Sequence, residues 1–138
     1  MDADVGPARF DPANPGFELV LEIESSGLVA KVTGRIDDID ALIAMFVQMA
    51  TELRRTGLRK LLVIDHTFGV VPPEDQLRQL VSSVGGQGFT DVRVAYLDAR
   101  GTAISRMEVG EIIGREHGYE CRVFDNESRA RIWLHYGE

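Results

Sequence analysis

Two aspartates that each close an apolar run are the side chains best placed for chemistry. Asp65 ends Leu62-Val63-Ile64-Asp65, and Asp98 directly follows Val92 to Leu97. His66 and Thr67 come after the first, and Ala99-Arg100-Gly101-Thr102 after the second. A carboxylate pair beside an imidazole can move protons, so a small enzyme built on Asp65, His66 and Asp98 is one reading. The competing use is mechanical, because an Asp at a strand end also caps loops and helix starts. Next to these residues Phe68-Gly69-Val70-Val71-Pro72-Pro73 is apolar for a connection, and Glu74 follows it. Large apolar side chains exposed together mark contact surfaces. Phe68, Val70 and Val71 therefore favour a binding edge, with Asp65, His66, Thr67, Glu74, Asp98 and Thr102 around it.

Several other chemistries lack their residues. A receiver-type phosphoacceptor needs a strand-end lysine, and the only lysines are Lys31, inside a strand pattern, and Lys60, before one. Gly85-Gly86-Gln87-Gly88 follows a helix pattern and precedes a strand, the wrong context for a phosphate loop, and carries no Lys-Ser/Thr. His66, His117 and His135 have no ligand spacing on a helix, so no metal and no cofactor is expected. The single cysteine, Cys121, cannot make an internal disulfide, which fits a reducing cytoplasm.

The elements that must position these residues are legible from periodicity. Phe17 to Glu24 alternates, with Phe17, Leu19, Leu21 and Ile23 on one face, and Ser25-Ser26-Gly27 turns the chain into a second strand, Leu28 to Thr33. Residues 38–56 read as a helix with Ile39, Leu42, Ile43, Phe46, Met49, Ala50 and Leu53 on one stripe, capped by Asp37 or Asp38 and ended by Gly57. Leu61 to Asp65 reads as a strand covered on both faces. Pro73 then occupies the first position of a helix that buries Leu77, Leu80, Val81 and Val84. Val92 to Leu97 is a fourth strand, and a third helix runs from Thr102 through Ile104, Met107, Ile112 and Ile113 to Gly118. Glu120 to Phe124 is a fifth strand, and Asp125 or Asn126 opens a last helix with Ala130, Trp133 and Leu134. The expected fold is thus α/β: a mixed, mostly parallel five-stranded sheet with one antiparallel edge strand, flanked by about four helices. Residues 1–16, with three of the five prolines, read as a flexible leader, and 17–138 as one domain.

Composition narrows the partners. Fifteen Lys and Arg stand against 22 Asp and Glu, a formal net charge of −7, which repels phosphate backbones and anionic lipid. Nucleic acid is not an expected partner, and no apolar run approaches the roughly 18 residues of a membrane span.

Three stretches resemble the STAS domain, the fold of anti-sigma-factor antagonists. Gly34-Arg35-Ile36-Asp37 is similar to the glycine–x–aliphatic–Asp signature that leaves the second strand for the first helix. Leu62-Val63-Ile64-Asp65 with His66-Thr67 resembles the strand before the regulatory loop. Val123-Phe124-Asp125 leading to Ala130-Arg131-Ile132-Trp133-Leu134 resembles the end of SpoIIAA-like, STAS/SEC14-type proteins. The resemblance spans about residues 17–136 and implies a non-enzymatic cytoplasmic module, bacterial in type. Such a module binds a protein partner, a second copy of itself in a homodimer, or a small apolar ligand at the strand ends. One departure stands out. Phospho-switch members carry a serine at the start of the second helix, whereas Val70-Val71-Pro72-Pro73-Glu74-Asp75 has no hydroxyl, leaving Thr67 as the one substitute.

Overall fold

The computed structural model describes residues 16–24, 27–69, 73–84, 89, 91–99 and 111–136. Five strands form one sheet in the order β1 (Phe17–Glu24), β2 (Gly27–Gly34), β3 (Lys60–Asp65), β4 (Arg93–Asp98) and β5 (Glu120–Phe124). β1 and β2 pair antiparallel from Phe17↔Gly34 to Glu24↔Gly27, and the other three pairings are parallel. The expected mixed sheet is therefore what the chain builds. The Ser25-Ser26 turn, the leader over residues 1–15 and the start of the third helix lie outside the described residues.

The strands follow one another across the sheet in chain order, so each right-handed crossover moves the same way and its helix falls on the same face. α1 (Ile39–Thr56) and α2 (Glu74–Val84) are the first two crossovers, and α3 is helical over 111–116. Under α1 and α2, Ala30, Val32, Leu61, Val63, Val94 and Tyr96 meet Leu42, Met45, Met49, Leu53 and Leu80 in one core. α4 (Glu127–Tyr136) crosses the opposite face, where Ala130, Trp133 and Leu134 cover Val29, Leu62, Ile64, Ala95 and Leu97. Adjacent strand positions thus serve opposite layers, which makes the middles of β3 (Leu61 to Ile64) and β4 (Val94 to Leu97) apolar on both faces.

The helix ends follow local chemistry. Asp38 caps α1 by accepting a hydrogen bond from the Asp40 amide (2.7 Å), and Gly57 closes it with its amide on the Leu53 carbonyl (2.8 Å). Asn126 caps α4 by accepting from the Arg129 amide (3.0 Å). Two expectations are corrected. Pro73 is not the first helical residue of α2 but precedes it, and its carbonyl accepts from the Leu77 amide (3.0 Å) as a cap does. Ile23 is 57% exposed, because an edge strand has one neighbour only and at this end of the hairpin that neighbour is Leu28. Ile112 is 53% exposed while Ile113 is buried, since adjacent helical residues lie about 100° apart and cannot both face the core.

Candidate functional site

The pairing of β2 with β3 does not stop at the strand ends. The His66 amide donates to the Val32 carbonyl (2.9 Å) and the Phe68 amide to the Gly34 carbonyl (2.9 Å). The Ile36 amide then donates to the Phe68 carbonyl (2.9 Å), and Arg35 bridges Phe68 in the parallel sense. Two glycines permit this junction. A Cβ on Gly34 (φ +99°) would lie 2.5 Å from the Gly16 carbonyl oxygen. One on Gly69 (φ +124°) would lie 1.9 Å from the Ile36 carbonyl oxygen. Only glycine combines such φ values with such close backbone approach. The glycine–x–aliphatic–Asp stretch and the loop after β3 are in this way one locked platform.

Asp65 is the strut beneath it. One carboxylate oxygen, Oδ1, accepts from the Thr67 amide (2.8 Å) and the Thr67 hydroxyl (2.6 Å), and Oδ2 accepts from the Tyr96 hydroxyl. The β3–β4 register sets Val63 opposite Tyr96 and Asp65 opposite Asp98, so Tyr96 rises from one step below to meet the carboxylate. Burial first, then the charge of Asp65 and the bond to it, with Asp98 and Cys121 adding, holds the Tyr96 phenol well above its ordinary range. It stays protonated and donates. Asp98 is buried at the same edge, and the Ala99 amide donates to the Asp65 carbonyl (3.0 Å), tying the two strand ends together.

The structure therefore gathers Asp65, His66, Thr67, Phe68 and Asp98 at the carboxyl ends of β2, β3 and β4, where open parallel sheets present their binding residues. Glu74 stands exposed in the first turn of α2 and pairs with Arg78 (3.1 Å). Val70, Val71 and Thr102 lie outside the described residues. Tyr96 is the partner that pattern reading missed, because a tyrosine inside an apolar strand passes for core. The signal was there: a buried phenol needs a hydrogen-bond partner, and two positions along the strand sits the register mate of Asp65.

Tyr96→Phe is expected to cost about 2 kcal/mol, the value of a hydrogen bond to a charged group, read from the urea unfolding midpoint. A loss below about 0.5 kcal/mol would mean that the bond contributes little to holding the loop.

Phe68 is 54% exposed, and the Asp37 carboxylate lies beside the next residue, Gly69. Asp37, Asp38 and Asp40 stand where α1 begins, and Glu74 and Asp75 where α2 begins. Arg35 is the nearby cation and is held by Asp37 (2.6 Å). No helix among the described residues is long and apolar enough to cross a membrane.

No protein-family model matches the chain, and no curated protein sequence matches it. Among solved structures it is similar to an anti-sigma factor antagonist from Mycobacterium paratuberculosis, with a TM-score of 0.50 and 12% identity over 92% of this chain and 99% of that one. At such identity the likeness is one of fold. The chain has a STAS-like fold, with the antiparallel first pair, the parallel remainder and the four helices that its sequence motifs imply.

Proposed function

We propose that this chain is a non-enzymatic regulatory module that docks a protein partner on the platform at its strand ends. The observation that carries the reading is Phe68: a large apolar side chain, more than half exposed, on backbone locked from both sides, with the Asp37 carboxylate beside the loop. A rigid aromatic anchor loses little entropy on binding, which is what contact hot spots use. The acidic residues that open α1 and α2, with a formal net charge of −7, favour a partner with a basic surface. Since the fold is that of an anti-sigma factor antagonist, an anti-sigma factor is the partner class to test first.

The state of Asp65 speaks for binding over catalysis. Its oxygens accept three hydrogen bonds from Thr67 and Tyr96, which suits a strut better than a proton carrier. The same bond engages the Thr67 hydroxyl, the one substitute for the serine of phospho-switch members. Partner choice in this module would then depend on the platform itself rather than on a phosphate.

Phe68→Ser tests the proposal against purified anti-sigma factors of the same genome by titration calorimetry. The expected result is at least a roughly tenfold loss of affinity, about 1.4 kcal/mol, at an unchanged melting temperature. Binding to none of them, or equal affinity of the variant, would overturn it.

A further inference from the structure

A cavity of about 100 Å³ lies away from the platform, between α1, α2, α3 and the β4–β5 side of the sheet. Leu77, Leu80, Val84, Phe89, Val94 and Val123 form much of its wall. Part of that wall is a fixed aromatic row: Phe46 stacks on Tyr96 at 6.2 Å and meets Phe89 edge-on at 6.1 Å. Two of the polar side chains that line it among the described residues are engaged elsewhere. Glu111 accepts a hydrogen bond from the Val123 amide (2.8 Å) and is paired with Arg115. The Tyr96 hydroxyl is committed to Asp65. Burial pushes the Cys121 thiol, on the same wall, up to about 12. Phe46, Val81, Tyr119 and Val123 are only half-buried, so the cavity has a side reachable from solvent.

We infer that this cavity is a binding site for a small hydrocarbon group: an unsubstituted ring or the end of a short acyl chain. A water molecule needs two to four polar partners to be held in a protein, and the described lining residues are mostly apolar. An apolar cavity of about 150 Å³ stays dry and takes up benzene or xenon, so a somewhat smaller one admits xenon readily and benzene with slight adjustment of Val81 and Val123. A ligand carrying a hydrogen-bonding group inside the cavity would be rejected, since that group would lose water without finding a partner. The cavity shares Tyr96 with the platform through its bond to Asp65, but hydrocarbon uptake is read without a protein partner and the Phe68→Ser affinity without hydrocarbon, so each reading can fail without the other.

Benzene and xenon are the probes. Either one, added to the whole protein, is expected to shift the methyl resonances of Leu80, Val84 and Val94 in ¹³C spectra. It should also raise the melting temperature with concentration, as any ligand of the folded state does. Val84→Phe fills the cavity and should abolish both responses; Val123→Phe, at the half-buried side, replaces it if the first variant does not fold. Failure of both probes to shift the wild-type methyls would overturn the inference. So would equal shifts in a folded, filled variant, which would mark the uptake as nonspecific.

Discussion

Gly69→Ala is expected to lose about 3 kcal/mol or more of stability, a drop of roughly 10 °C in melting temperature for a domain of this size. Two costs add. A non-glycine residue at φ +124° carries backbone strain on the order of 1–3 kcal/mol. Its Cβ would also fall 1.9 Å from the Ile36 carbonyl oxygen, 2.7 Å from the Ile36 carbonyl carbon and 2.9 Å from Asp37 Oδ1. Two of these three atoms are backbone and cannot swing away, so the loop must lift off β2. Lifting it breaks the Ile36–Phe68 hydrogen bond (2.9 Å) and frees the segment that presents Phe68. The loss should therefore appear twice, in the unfolding midpoint and in partner affinity. An alanine variant that melts with the wild type would refute the locked platform, and the docking proposal would lose its rigid anchor.

Trp133→Ala should cost about 3–5 kcal/mol, the usual range for removing a buried large aromatic side chain. The layer under α4 is thin: eight buried residues, of which Trp133 is the largest. Its ring packs 5.7 Å from Phe124, and the Arg93 guanidinium lies 5.5 Å above it. Arg93 also reaches the Leu134 carbonyl (3.4 Å) and Glu120 (3.2 Å), so the indole props up a cation that links β4, β5 and α4. Ala130 is fully buried against the sheet, which leaves the helix little room to sink into the gap. Chemical denaturation measures the cost, and Trp133→Phe should recover part of it. A loss below about 1 kcal/mol would mean that α4 is held chiefly by the ion pair of Arg131 with Glu24 on β1 (3.0 Å).

The elements were legible because period and punctuation agree. Alternation marks β1, unbroken apolar runs mark β3 and β4, and Asp38 and Gly57 bracket α1 where propensity places them. What local pattern could not give was depth at the margins. Ile23 and Ile112 belong to the right elements but are more than half exposed, and only tertiary geometry decides that. The strand-end gathering of Asp65, Thr67 and Asp98 was foreseeable from topology alone. The Tyr96–Asp65 bond depends on register, which no stretch of sequence states by itself. The cavity was invisible for the same reason: its wall draws on separate stretches from Phe46 to Val123, and emptiness between side chains has no signature in their order.

The placement of α4 bears on how this protein is made. All the other described helices lie on one side of the sheet, so that side can close as soon as each crossover leaves the ribosome. The opposite side waits for the helix that comes last in chain order, Glu127–Tyr136. Among the described residues, that helix is what covers Leu62, Ile64, Ala95 and Leu97, so during synthesis this strip waits for it to emerge from the exit tunnel. A nascent chain stalled before it would be a natural client for chaperones that hold apolar surface, and release of the newborn domain should coincide with the docking of Trp133.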